Sequence, residues 1–74
     1  MIKDGYNIRV ARFVGEYCTM NDGSPVPPDP RFLRQSLQAM IRSGRTREDI
    51  RREALEKQDV LISDELFGGG GGDG

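Results

Sequence analysis

The glycine-rich end of the chain sets the first limit on its fold. Positions 68–74 are all glycine apart from Asp73, and a segment without side chains has nothing to bury. About 66 of the 74 residues are therefore left to form a core. A domain of that size buries only about 60% of the surface of its unfolded chain, so it is marginally stable. We expect one small domain over residues 1–66, with a Pro-rich loop at 21–30 and a disordered tail over 67–74.

The cysteine and histidine content excludes the usual supports of so small a domain. Cys18 is the only cysteine and there is no histidine, so neither an internal disulfide nor a Cys/His zinc site can form. Without histidine, Cys18 also lacks the base that would activate it as a nucleophile. We therefore predict no metal, no cofactor and no enzymatic activity. Stability is expected to come from helix packing or from a partner.

The middle of the chain predicts two helices. The first covers residues 30–42, because Asp29 is a good N-cap, Pro30 suits the first helical position and Gly44 is placed to end the helix. The second covers about 46–58, where Thr46 begins a sequence similar to a capping box. The short connection predicts a helix hairpin or a helix–turn–helix pair. In the first helix, the apolar stripe is Leu33, Leu37, Met40 and Ile41, and the opposite face carries Arg31, Arg34, Gln35, Gln38 and Arg42.

The N-terminal third fits two different periods. Residues 6–11 alternate between larger apolar side chains and polar ones or alanine, as in a strand, whereas Val10, Phe13, Val14 and Tyr17 recur at helical spacing. We favour a strand over about 6–11 and leave 12–20 open. A strand needs a mate, which residues 16–20, residues 59–63 or a partner protein could supply; pairing within the chain is favoured. The predicted fold class is α+β and mainly helical, with a short N-terminal strand, a helix hairpin and a disordered Gly-rich tail.

Charge is unevenly distributed along a chain whose net charge is −1. Residues 31–52 carry seven arginines and two acids, a net of +5, whereas residues 53–74 carry one lysine and six acids, a net of −5. Nine of the eleven basic residues are arginine, whose planar fork suits carboxylate and phosphate groups. These charge runs are either solvated helix faces or contacts to a partner.

The helix pair matches a DNA-binding helix–turn–helix only in part. Gly44 lies in the turn and Ile50 is apolar as required, but Met40 stands where a small residue is wanted and Glu53 stands where an apolar one is wanted. A third, supporting helix is missing unless residues 10–18 supply it. The arginines between positions 42 and 52 suit phosphate contacts, while the six acids that follow argue against an open DNA-binding surface.

In outline, the chain resembles small phage-encoded regulators that bind bacterial RNA polymerase. The shared features are a short chain, no histidine, one cysteine, an apolar and basic N-terminal segment, a compact helical middle and an acidic-to-Gly end; no diagnostic motif is among them. The resemblance implies inhibition of promoter-dependent initiation by interference with sigma factor, and an effect on termination.

Three functions are consistent with these features. The first is a non-enzymatic transcription regulator that binds RNA polymerase; the alternatives are a sequence-specific DNA-binding protein that reads DNA with helix 46–58, and an adaptor of another pathway. We expect a monomer. We place it in the cytoplasm, or in the host cytoplasm if it is phage-encoded, because Cys18 suits a reducing compartment and no apolar run approaches the ~18 to 20 residues of a membrane span.

The residues predicted to contact the partner are Tyr6, Ile8, Arg9, Val10, Arg12, Phe13, Val14, Arg34, Arg42, Arg45, Arg47, Arg51 and Arg52.

Overall fold

A computed structural model describes residues 3–68, and three helices account for most of them. They are α1 (Lys3–Val14), α2 (Pro30–Arg42) and α3 (Arg47–Gln58). α1 packs against both other helices, whereas α2 and α3 make few contacts with each other. α1 is therefore the central element, and α2 and α3 are not the side-by-side helices of a hairpin. The tail from residue 69 onward lies outside the described residues.

The predicted N-terminal strand is wrong. Residues 6–11 lie within α1, and residues 3–68 contain no strand. Val10 is fully buried while Ile8 is 40% exposed, because a helix turns residues two apart to different faces. A helix also satisfies its own backbone N–H and C=O groups, so α1 needs no mating strand. The fold class of the described chain is therefore all-α instead of α+β.

Both helices predicted for the middle of the chain are confirmed. α2 has the predicted bounds, and its N-cap Asp29 accepts a hydrogen bond from the backbone N–H of Arg31 at 3.0 Å. Thr46 caps α3 by accepting from the N–H of Asp49 at 3.1 Å. Gly44, in the turn between the helices, has a φ of +112°, which glycine adopts without the penalty of a Cβ atom.

One hydrophobic core joins all three helices to the Pro-rich loop and to the chain that follows α3. The Pro-rich loop contributes Val26, which is 6% exposed. From the helices come Val10, Ala11, Phe13, Val14, Leu33, Leu37, Met40, Ile50 and Ala54, and the chain after α3 adds Val60, Ile62, Leu66 and Phe67.

The segment that follows α3, residues 59–68, takes the place of a fourth helix; we call it the C-terminal arm. Asp59 adopts a left-handed conformation that ends α3. The arm is then held largely by side chains: the N–H of Ser63 donates to the Tyr6 hydroxyl oxygen at 3.0 Å, and Arg51 Nε donates to the carbonyl of Ile62 at 3.1 Å. Phe67 is only 1% exposed, so the core extends one residue beyond the predicted domain end.

Candidate interaction surface

Three of the predicted contact residues belong to the core. Val10, Phe13 and Val14 have no exposed surface, because α1 turns them toward α2 and α3. A partner could reach these side chains only if the domain unfolded. The prediction that the apolar N-terminal segment forms a docking face is therefore corrected for these three residues.

The other predicted contacts in α1 fall into two groups. Tyr6 and Arg9 hold the C-terminal arm, Tyr6 through Ser63 and Arg9 through a 3.3 Å bond from Nη1 to the carbonyl of Asp59. Ile8 and Arg12 lie on the outer side of α1 and are exposed. They border an open groove of about 410 Å³ between α1 and the Pro-rich loop, whose apolar lining comes from Ile8, Ala11, Pro25, Val26 and Pro28.

Three arginines predicted to contact a partner are engaged within the domain. Arg45 lies 3.5 Å from the Glu53 carboxylate, Arg51 pairs with Asp64 at 2.5 Å, and Arg52 pairs with Asp49 at 2.5 Å. Each exposed ion pair adds little stability. The nearby carboxylate nevertheless partly neutralises the positive charge of each of these arginines. The guanidinium of a fourth arginine, Arg47, lies 5.6 Å from the centre of the Phe67 ring. Most of the basic side chains on and before α3 therefore already have a contact inside the protein.

These contacts weaken the case for α3 as a DNA-reading helix. α1 does supply the third helix that the motif needs, and Ile50 is buried as the motif requires. Glu53, however, lies at the protein surface, where it accepts a hydrogen bond from the Tyr17 hydroxyl at 2.6 Å. The outward residues of α3 include Glu48 and Glu56, whose carboxylates would face phosphates.

Tyr17 organises a polar cluster that ties the end of α1 to α3. The guanidinium of Arg45 lies 4.2 Å from the centre of the Tyr17 ring, within cation–π range. Lys57 Nζ donates to Glu16 Oε1 and to the Tyr17 hydroxyl oxygen, both at 3.3 Å. The hydrogen bond from Tyr17, followed by the charge of Arg45, lowers the pKa of Glu53. Every member of the cluster has a partner, so it is a structural contact between elements.

Replacing Tyr17 with phenylalanine should raise the pKa of Glu53 toward its ordinary value. The hydroxyl stabilises the ionised carboxylate, so this contribution to stability is present above the unfolded-state pKa and is lost as the pH falls through the lower folded-state pKa. Carboxyl NMR titration of both proteins measures the change. Asp22 is the internal control, since its pKa is lowered by hydrogen bonds from Ser24 and should not move. An unchanged Glu53 midpoint would show that the hydroxyl does not stabilise the carboxylate.

Cys18 shows no sign of activation. Its thiol is half-buried and lies 3.8 Å from the carbonyl oxygen of Ser36, to which it donates. Burial raises the pKa of the Cys18 thiol, which keeps it protonated at neutral pH. Among residues 3–68, no cluster of cysteine and acidic residues has a composition that could hold a metal ion.

The outer side of α2 differs from the rest of the surface. We define the α2 basic face as Arg31, Arg34, Gln35, Gln38 and Arg42. The 13 residues of α2 include no acid, and no ion pair within the described part of the chain involves an arginine of this helix. All three arginines are exposed, and Arg31 and Arg42 lie about 16 Å apart along the helix axis at 1.5 Å per residue.

The α2 basic face brings together three arginines that have no ion pair within residues 3–68. The predicted contacts include Arg34 and Arg42 but not Arg31, which the sequence places only on the polar side of the helix. The sequence does contain a signal that would have identified Arg31 as well: residues 30–42 include no acidic residue. An arginine cluster without intramolecular partners produces a positive potential that attracts an acidic surface.

Comparison with known proteins does not assign the chain to a family. No family model, curated protein or solved structure matches the chain. Within residues 3–68, none of the helices has the length and apolar character needed to cross a membrane.

Proposed function

We propose that the protein is a non-enzymatic regulator that binds bacterial RNA polymerase through the α2 basic face and inhibits transcription initiation, with an effect on termination as well. The observation that carries the proposal is the group of three exposed arginines on an acid-free helix, none of them in an ion pair within residues 3–68. The face needs an acidic partner, and the outline shared with small phage regulators points to the polymerase.

The charge of the whole chain favours a protein partner over DNA. Non-specific binding to duplex DNA depends on the number of phosphates neutralised, and three arginines on a chain of net charge −1 neutralise few. Arginine is also enriched at protein interfaces relative to the rest of a protein's surface. The proposed partner is cytoplasmic, so the protein would act in the bacterial cytoplasm, as a monomer bound to the enzyme.

Sequence-specific DNA binding is the second candidate, and one observation favours it. Arginine and glutamine are the side chains that contact guanine and adenine in the major groove, and both occur on the α2 basic face. This candidate uses α2, whereas the sequence predicted helix 46–58 as the reading helix. It requires binding that weakens steeply with salt.

Affinity capture from a bacterial lysate tests the proposal. The tagged protein is incubated with lysate treated with nuclease, and the bound proteins are identified by mass spectrometry. We expect the large polymerase subunits to be retained after nuclease treatment. Retention of DNA alone, in untreated lysate, would overturn the proposal in favour of DNA binding. Reproducible capture of a different protein would overturn it in favour of an adaptor.

A further inference from the structure

A cleft adjoins the α2 basic face. A partner that binds the face must therefore match the shape of this cleft as well as the charge of the face. The cleft has a volume of about 510 Å³ and lies between α1, the start of α2 and the C-terminal arm. Arg34 belongs to both surfaces, so a partner that contacts the face also covers the cleft. The residues that line it include Tyr6, Asn7, Pro30, Arg34, Glu65 and Leu66.

The lining combines apolar walls with two charged side chains of opposite sign, Arg34 and Glu65. Tyr6, Pro30 and Leu66 offer an apolar surface, and the volume falls within the 300–1,000 Å³ that ligand sites usually have. The hydroxyl oxygen of Tyr6 accepts the N–H of Ser63, which leaves the hydroxyl proton free to be donated. Arg34 has no ion pair in the described part of the chain, so it is available to a carboxylate.

The protein already binds a segment of matching chemistry, namely its own arm. Asp64 pairs with Arg51, and the ring of Phe67 lies 5.6 Å and 5.7 Å from the guanidinium carbons of Arg47 and Arg51. Gln38 donates to the carbonyl of Phe67. Asp64 is thus held by an arginine. Phe67, three residues later, is held by the burial of its ring beside two arginines and by one hydrogen bond to its backbone carbonyl.

We infer that the cleft receives an acidic–apolar peptide segment of the partner protein, with a carboxylate on Arg34 and a leucine or phenylalanine side chain against Tyr6 and Leu66. The inference rests on the proposed function and specifies what the partner presents. A nucleic acid fits less well, because a duplex has no apolar side chain to insert against Tyr6 and Leu66. Glu65 belongs to the same lining and carries the opposite charge, so Arg34 is the only side chain of the lining that can pair with the carboxylate of the segment.

Fluorescence anisotropy with a synthetic peptide tests the inference. The probe is a labelled peptide in which two aspartates precede leucine and phenylalanine. One comparison peptide has serine in place of the apolar pair, and another has asparagine in place of the aspartates. The intact protein should bind the probe about tenfold more tightly than either comparison peptide, because a hydrogen bond to a charged group and a buried apolar side chain each contribute on that scale.

Two charge variants test the roles of Arg34 and Glu65. Arg34→Gln should weaken binding of the probe about tenfold, since hydrogen bonds to a charged group are lost. Glu65→Gln should tighten it several-fold, because a like charge is removed. Both residues are exposed, and an unchanged melting curve verifies the fold. Arg52→Gln, which lies outside the cleft, is the charge-matched control and should bind like the intact protein.

The inference fails if the probe does not bind, if Arg34→Gln binds it normally, or if a labelled DNA duplex binds in its place. Its failure is distinguishable from that of the proposed function. Polymerase capture that does not depend on Arg34 would overturn the inference and leave the function standing. Peptide binding of the predicted order, without polymerase capture, would support the inference and overturn the function.

Discussion

Replacing Phe67 with alanine should remove a large part of the protein's free energy of unfolding. The Phe67 side chain is buried in the core at the end of the C-terminal arm, and truncating a buried phenylalanine usually costs about 3–5 kcal/mol. At 0.05–0.15 kcal/mol per residue, a domain of this size has only about 3–10 kcal/mol of stability to lose. Urea denaturation followed by circular dichroism measures the difference in unfolding free energy.

The control for this substitution lies in the same arm. Leu61 is 65% exposed, so Leu61→Ala should change the unfolding free energy by only about 0.5 kcal/mol or less. If Phe67→Ala unfolds at the same urea concentration as the intact protein, the C-terminal arm is not part of the folded unit. That result would contradict the assignment of Phe67 to the hydrophobic core.

Replacing the three arginines of the α2 basic face with glutamine should strongly weaken the proposed inhibition of transcription. Glutamine has nearly the same helix propensity as arginine, so Arg31→Gln, Arg34→Gln and Arg42→Gln together remove charge without disrupting α2. The concentration needed for half-maximal inhibition in a purified transcription assay should rise at least about tenfold, the effect of losing 1.4 kcal/mol of binding free energy.

A charge-matched triple variant in α3 tests whether the effect is specific to α2. Arg47→Gln, Arg52→Gln and Lys57→Gln remove the same charge from a helix whose basic side chains have contacts within the domain. This variant should inhibit transcription like the intact protein. If it loses inhibition while the α2 variant retains it, the contact surface lies on α3.

Local chemistry was sufficient to predict α2 and α3. Each begins at a side chain that accepts a backbone hydrogen bond, Asp29 for α2 and Thr46 for α3, and Gly44 supplies the positive φ of the turn between them. These signals act within a few residues, so they are visible without knowledge of the tertiary fold. The predicted side-by-side packing of the two helices is wrong, because α2 and α3 both pack against α1 instead of against each other.

α1 was missed because its local signals conflict. Alternation over residues 6–11 suggested a strand, while Val10, Phe13 and Val14 recur at helical spacing. Tertiary packing decides between them, since only a helix turns Val10, Phe13 and Val14 together toward α2 and α3. The same choice decides which N-terminal apolar side chains a partner can reach, since Val10, Phe13 and Val14 are buried while Ile8 and Tyr17 are exposed.

The candidate surface was predicted only in part, for a similar reason. The sequence shows seven arginines between positions 31 and 52 but not which of them have partners. Arg51 pairs with Asp64, thirteen residues away, and Arg45, in the turn before α3, pairs with Glu53 of that helix. Such contacts follow from the placement of the arm and of α3. The acid-free sequence of α2 sets its arginines apart, but only the tertiary contacts show that Arg45, Arg51 and Arg52 have partners while the arginines of α2 have no ion pair within residues 3–68.

Direct binding to purified RNA polymerase core enzyme is the most direct test of the central claim. The immobilised protein is exposed to the enzyme at about 150 mM salt, where exposed charges more than roughly 8 Å apart are largely screened, in the presence of excess duplex DNA. We predict saturable binding that survives the DNA competitor and is lost in the α2 triple variant but not in the α3 triple variant. No binding, or equal binding by the intact protein and the α2 variant, would contradict the assignment of the α2 basic face as the polymerase contact.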